Sequence, residues 1–318
     1  MKKIFITGVC GFIGKALANK LVEIGYEVTG VDDLSIGSKQ GLRSEVRFYN
    51  ADVANKVFFE IACLFQDVDI IIHLASWKIP LEQSDVAKFL LANTEATKNV
   101  VKYAQFTNAG LIFASTSDIY GKQTEFKETS DSILGPTNIS RWSYAISKLW
   151  SEHLIHATEG LKFNIIRYFN VYGPGQSLKK VSATPMAIFA EQAFKKEPIT
   201  VHGDGNQMRC FSYIDDVIDG TVRVIESDYD REVFNIGDPN DEISILALGS
   251  LVWEMINPND LLFISVGMDP VDNNMEYEDI KNRVPDISKA RKMLEWTPKV
   301  GLIEGLKKTI DWQRAVNK

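Results

Sequence analysis

Residues 4–7 (Ile-Phe-Ile-Thr) form a short apolar run that ends on Gly8. Ile13, Leu17, Leu21 and Ile24 then recur at the spacing of one helical face, so residues 12–24 predict a helix. Strands are expected at 26–31 and 46–49, with a helix at 56–65. Residues 68–74 are apolar almost throughout, which suits a central strand buried on both faces of a parallel sheet. A long helix at 86–106, a strand at 111–115, a helix at 142–158 and a strand at 163–168 follow. Alternation on this scale predicts an α/β fold, a doubly wound parallel sheet with right-handed crossovers.

Beyond residue 172 the pattern changes. Gly173-Pro174-Gly175 breaks the chain, and a helix at 183–194, strands at 199–201 and 233–236, a helix at 243–255, a strand at 262–266 and a helix-rich tail follow. We read residues 1–172 as one domain, taking in about 209–232 as well, and 173–318 as a smaller α/β unit leaning on it. Composition fits: 45% apolar and 24% charged among 318 residues is ordinary for a globular protein. Thirty-five basic against 42 acidic residues leave a net charge of −7. That total offers no broad positive field for a nucleic acid or an anionic membrane. Cys10, Cys63 and Cys210 are odd in number and far apart, which predicts reduced thiols and no zinc site. His153 and His156 lie one helical turn apart but lack a carboxylate or cysteine partner, so no metal is expected. No run approaches the ~20 apolar residues of a membrane helix, and a cytoplasmic protein is expected.

The first candidate for chemistry is Thr7-Gly8-Val9-Cys10-Gly11-Phe12-Ile13-Gly14, placed between a strand and a helix. Gly8 permits a tight turn, Gly11 lets backbone approach a pyrophosphate, and Gly14 lets the helix pack on the strand. The helix N-terminus supplies free N–H groups and a positive dipole end. Asp32 follows ~20 residues on, at the end of the next strand, where a carboxylate accepts from ribose hydroxyls. The same charge repels a 2′-phosphate, so the motif predicts NAD in preference to NADP. Asp33 reads better as a turn residue.

The second candidate is Tyr144-Ala-Ile-Ser-Lys148 on the helix at 142–158. Four residues of separation put phenol and ammonium on one face. A tyrosine near its ordinary pKa of ~10 is a poor base at neutral pH; a lysine cation and an oxidised nicotinamide nearby would both stabilise the phenolate. Ser115-Thr116-Ser117-Asp118 follows a strand at the carboxyl edge of the sheet, where such folds place their ligands.

With these motifs in place, the whole chain resembles the extended short-chain dehydrogenase/reductases that act on nucleotide sugars. The likeness rests on residues 7–14, Asp32, Asp52-Val53, His73-Leu74-Ala75-Ser76, Asn93, Ser115–Gly121, Tyr144 with Lys148, Arg167-Tyr168-Phe169-Asn170, Gly173-Pro174, Gly203-Asp204-Gly205 with Arg209, Asp286, and Trp296-Thr-Pro. It implies a Rossmann-like domain, a C-terminal substrate-binding domain, a nucleoside-diphosphate-sugar substrate and a homodimer formed through the helices at 86–106 and 142–158. Asp52 and Val53 would contact adenine, and Leu74, Ala75, Ser76 and Asn93 would line the cofactor beside Phe12 and Ile13. Lys78 would reach the NAD phosphates and Phe169 would pack near the nicotinamide. Thr116 and Ser117 would bind the sugar, Tyr144 would remove the 4-hydroxyl proton, and Lys148 would orient the nicotinamide ribose. Asn170 and Arg209 would hold the diphosphate, and Arg283 resembles a substrate arginine of sugar-nucleotide decarboxylases.

The resemblance implies oxidation at sugar C4. Ser117-Asp118 resembles the Ser-Glu of GDP-mannose dehydratases and UDP-glucuronate decarboxylases, but Asp118 is one methylene shorter. A base must come within ~3 Å of its proton or act through a water. We therefore expect 4-epimerisation, with dehydration across C5 and C6, decarboxylation and net C4 oxidation kept open. A non-catalytic dinucleotide sensor is the contrasting class; the Tyr144–Lys148 pair speaks against it.

Overall fold

The computed structural model describes residues 2–78, 85–176, 184–267 and 280–316. Its first half alternates as the apolar pattern requires: β1 (Lys3–Thr7), α1 (Phe12–Glu23), β2 (Glu27–Asp32), β3 (Arg47–Asn50), α2 (Lys56–Ala62), β4 (Ile70–His73), α3 (Val86–Thr107), β5 (Gly110–Thr116), α4 (Trp142–Ala157) and β6 (Phe163–Tyr168). Then come β7 (Val171–Tyr172), α5 (Pro185–Phe194), β8 (Ile199–Val201), β9 (Met208–Arg209), β10 (Ser212–Tyr213), α6 (Ile214–Glu226), β11 (Glu232–Ile236), β12 (Ile243–Ser244), α7 (Ile245–Ile256), β13 (Ile264–Val266), β14 (Asn282–Arg283), α8 (Ser288–Leu294) and α9 (Leu302–Val316).

The main sheet runs β3-β2-β1-β4-β5-β6-β11, every pairing parallel. Both faces are covered. Ile4 and Ile6 of β1 enter one core with α1 and α6, while Phe5 between them enters the other, with Phe58, Tyr103 and Phe113. A strand sandwiched this way reads as a continuous apolar run, which is why β1 and β4 show no alternation. The order reverses between β1 and β4, the point where such sheets open a crevice at their carboxyl ends.

One grouping from the sequence needs correction. The change of pattern after residue 172 puts residues 233–236 with the smaller unit, yet β11 pairs with β6 through Glu232↔Asn164 to Ile236↔Tyr168 and extends the main sheet. The long excursion between the two strands hides this pairing from local periodicity. α6 belongs with it, packing against α1. The smaller unit consists of the β12-β9-β14 sheet, the β8–β13 pair, and α5 against α7. The predicted start of its first helix at 183 lies outside the described residues.

Candidate active site

At the carboxyl end of β1, Gly8 adopts φ +73°, and a Cβ there would stand 2.6 Å from the Ala75 nitrogen. A Cβ on Gly14 would stand 2.1 Å from the Gly8 carbonyl oxygen. Side chains are therefore excluded at both positions, and the loop presents bare backbone. Gly11 caps α1 with no side chain on its N–H groups, leaving the first turn for an anion. Asp32 accepts from the Cys10 N–H at 3.0 Å and the Leu34 N–H at 2.8 Å. Burial raises its carboxyl above the ordinary range, and these two bonds pull it back. Asp33 bonds locally to Ser35, as a turn residue would. Asp32, Asp52, Val53, Leu74, Ala75, Ser76 and Asn93 line one end of the cleft. Asn93 also fixes the 76–78 backbone, accepting from the Trp77 N–H at 2.8 Å and donating to the Ser147 hydroxyl at 3.1 Å.

The cleft widens beyond the glycine loop to about 480 Å³, within the usual range for ligand sites. Gly8, Gly11, Phe12, Ile13 and Gly14 face Thr116, Ser117, Asp118, Tyr144, Lys148, Asn170 and Arg283 across it. The Tyr144 hydroxyl is hydrogen-bonded to Thr116 and Ser76; burial, then the Asp118 charge, push its pKa above the ordinary phenol value, and these bonds oppose them. Lys148 donates to the Ala114 carbonyl at 2.8 Å and lies 4.7 Å over the Phe113 ring. Burial brings its ammonium down to about 7, against the pull of Glu152.

Asp118 opens a 3-10 turn, Ser117–Tyr120, after β5. Its N–H donates to Thr116 Oγ1 at 3.2 Å, and that hydroxyl donates back to Oδ2 at 3.1 Å. Its Oδ1 pairs with Arg283 Nη1 at 2.8 Å. Burial would raise the carboxyl, but Arg283, Lys78 and Arg141 together hold it below the usual carboxylate range. Lys78 lines both ends of the cleft. Protein around its ammonium lowers it; Asp118 pulls it up and Arg283 adds to the lowering.

Two expected site residues stand elsewhere. Phe169 is fully buried among Tyr120 and Phe126, away from the cleft. Its neighbour Tyr168 takes the cleft position, because adjacent residues leaving a strand point to opposite faces. Arg209 does not line the cleft either. Its guanidinium donates to the Met208 and Ile280 carbonyls at 2.7 and 2.8 Å, and β9 places it beside Arg283 of β14. Its visible role is to hold the strand that carries Arg283. Tyr168 also lines the cleft, as do Gln176 and Thr184, which have no motif to mark them.

A glycine cradle at the switch point, a ribose carboxylate and a Tyr–Lys pair facing it define a dinucleotide-dependent enzyme of the doubly wound class. Comparison gives the family. Residues 4–237 match the NAD dependent epimerase/dehydratase family, and the chain belongs to it. A UDP-N-acetyl-alpha-D-glucosaminuronate decarboxylase of Bacillus cytotoxicus is 33% identical over 99% of this chain and 98% of its own. A UDP-glucuronic acid decarboxylase of Xenopus tropicalis is 34% identical over 98% of this chain and 72% of its own. Among solved structures, a UDP-glucuronic acid 4-epimerase from Bacillus cereus, in complex with UDP-glucuronic acid and NAD, superposes with TM-score 0.85 at 29% identity, covering 99% of each chain. A UDP-glucose 4-epimerase of Thermotoga maritima gives 0.87 at 28% identity, covering 99% of this chain and 100% of its own. The chain is thus an NAD-dependent nucleotide-sugar-modifying enzyme. Among its described residues no helix is long and apolar enough to cross a membrane.

Proposed function

We propose that this enzyme oxidises C4 of a UDP-linked sugar acid and then releases the C5 carboxylate as carbon dioxide. The observation that carries this reading is Arg283. Its Nη1 binds Asp118 and reaches Ser117 Oγ at 3.4 Å, while its buried Nε finds no partner among the described residues. Lys78 also acts on the same carboxylate, so two cations, Arg283 and Lys78, bear on Asp118 beside Thr116 and Tyr144. A carboxylate on the substrate would restore the balance. The sequence-based preference for simple 4-epimerisation gives way on this point, helped by decarboxylase relatives that match the chain over nearly its whole length.

Bound NAD supplies the hydride acceptor at C4 and, once reduced, the donor that restores the hydroxyl. The Gly8–Gly14 cradle, Asp32 and Lys148 are the residues that fit it. Tyr144 takes the C4 hydroxyl proton with Thr116 holding the oxygen, which draws electron density toward the developing ketone. A C4 ketone makes the substrate a β-keto acid. The C5–C6 bond can then break, carbon dioxide leaves, its electron pair enters the C4–C5 enolate, and C5 takes a proton from water, leaving the one on Tyr144 to return to the C4 oxygen on reduction. Tyr144 and Thr116 donate hydrogen bonds to the enolate oxygen.

The solved 4-epimerases support a second reading, in which the ketone turns over and is reduced on its other face. The NAD-loaded protein with UDP-glucuronate, UDP-N-acetylglucosaminuronate and UDP-glucose separates them. Loss of carbon dioxide from a sugar acid, read by mass, is the expected result; unchanged mass with C4 inverted by NMR would replace decarboxylation with epimerisation. A homodimer is part of the same proposal. Leu91 of α3 with Ile146 and Trp150 of α4 leave apolar surface exposed on two packed helices, the pair expected to meet a second copy.

A further inference from the structure

We propose that Glu152 is a positioning residue for C4 oxidation, anchoring the catalytic helix to the end of β5 and keeping Lys148 a cation. The inference rests on the C4-oxidation reading but not on the later fate of the ketone, because epimerisation and decarboxylation share that first step.

Glu152 stands one helical turn after Lys148 on α4, so both project to one side. They engage consecutive residues of β5. Lys148 Nζ donates to the Ala114 carbonyl at 2.8 Å, and the Ser115 hydroxyl donates to Glu152 Oε1. The next residue is Thr116, which binds Tyr144. Two fasteners one turn apart therefore set the height and rotation of α4 against the strand end that presents Thr116. Behind Ser115, its register partner Arg167 on β6 donates from Nε to Oε1 at 3.1 Å and from Nη2 to Oε2 at 2.7 Å. Glu152 thus sits between the catalytic helix and two central strands, and its residue is 4% exposed.

Burying such a pair costs several kcal/mol per ion before any attraction is counted, and an apolar pair of similar size is often as stable. Retaining charge here makes sense if the field is used. Among the described residues, the groups around Lys148 are Glu152 on its own helix, the Phe113 ring and Ala114 carbonyl on β5, and His73 on β4, with the Arg167 cation of β6 paired to Glu152. His73 is pushed down to about 3 by burial and by Lys148, so it is neutral and adds no charge. Glu152 is the carboxylate that offsets the burial of Lys148. Without a cation at Lys148, Tyr144 would lose the positive charge that shares its helix face four residues on.

The test is Glu152→Gln read in two ways. The first is a 13C NMR titration of the Lys148 side chain in cofactor-free protein, assigned by its disappearance in Lys148→Met. The wild-type midpoint should lie near 7, and the variant's should fall by about one unit or more. The second is the pH profile of kcat for the NAD-loaded enzyme. Activity requires charged Lys148, so its alkaline limb should move to lower pH while KM for the sugar nucleotide stays nearly constant. If Glu152→Gln leaves Arg167 uncompensated and the protein unfolded, the double variant Glu152→Met with Arg167→Met removes both charges and is read the same way. An unmoved Lys148 midpoint in a folded variant overturns the inference. A wild type that turns over no nucleotide sugar overturns the functional reading instead, and the NMR titration still decides the role of Glu152.

Discussion

Two buried arginine–carboxylate pairs lie on either side of β5, alike in composition and unlike in completeness. Arg167–Glu152 closes at 2.7 Å with side chains 9% and 5% exposed. Nε and Nη2 serve Glu152, Nη1 serves the Tyr120 hydroxyl at 2.9 Å and the Glu128 carbonyl at 3.0 Å, and the Tyr120 ring lies 4.9 Å from the guanidinium. Arg283–Asp118 closes at 2.8 Å with side chains 6% and 25% exposed, and Arg283 Nε has no partner among the described residues. A buried donor without a partner costs about 1–3 kcal/mol. The sealed pair spends its donors on the fold. The open pair sits on the cleft wall with a buried donor left over.

The largest effect expected from this contrast is on stability. Arg167→Met should lower the unfolding free energy by about 3–5 kcal/mol, the usual result of stranding one member of a buried pair. Arg283→Met should cost no more than about 1–2 kcal/mol. It removes an unsatisfied donor, and Asp118, its side chain 25% exposed, keeps Lys78 and Arg141 nearby. Activity should run the other way, with Arg283→Met folded but unable to process a sugar acid. Urea denaturation of the two variants decides the matter, and equal losses would erase the distinction.

Next in size is Tyr144→Phe. The hydroxyl touches Thr116 and Ser76 at the cleft, so it belongs with the open wall. Its removal should cost at least about 100-fold in kcat, the lower range for general acid–base work, with little change in unfolding. Near-normal turnover would remove Tyr144 from the chemistry.

What could be read from the sequence divides along the same line. The glycine cradle and the Tyr144–Lys148 pair are local: each is set by one turn or one helical repeat, so spacing alone places them. β1, β4, β5 and β6 announce themselves because burial on both faces leaves continuous apolar runs. Phe169 is misplaced by sequence because its assignment depends on which of two adjacent residues turns toward the cleft, and composition does not encode that choice. Arg209 is misplaced because its partners include a carbonyl some 70 residues away in the chain. Glu152 carries no sequence signal for a related reason. Nothing next to it along the chain reveals that Ser115 and Arg167 converge on it, and only the β5–β6 register does.

Asp32 stands between the two pairs and gives the smallest of these effects. Each of its oxygens already accepts one backbone N–H, from Cys10 and from Leu34, so it fastens the cofactor loop as Glu152 fastens α4. A carboxylate offers about four acceptor sites, so each oxygen keeps one for a ribose hydroxyl, as the open pair keeps its Nε. Asp32→Ala removes both functions. Two backbone N–H groups lose a partner, at about 1–3 kcal/mol for each that stays shut off from water. NAD should bind about tenfold more weakly, near 1.4 kcal/mol, and discrimination against NADP should relax because no carboxylate then opposes a 2′-phosphate. Titrating both cofactors into wild type and variant separates the roles. If the loop loosens while the preference for NAD stays intact, Asp32 is a fastener alone and belongs with the sealed pair; if the preference collapses in a stable protein, it belongs with the open one.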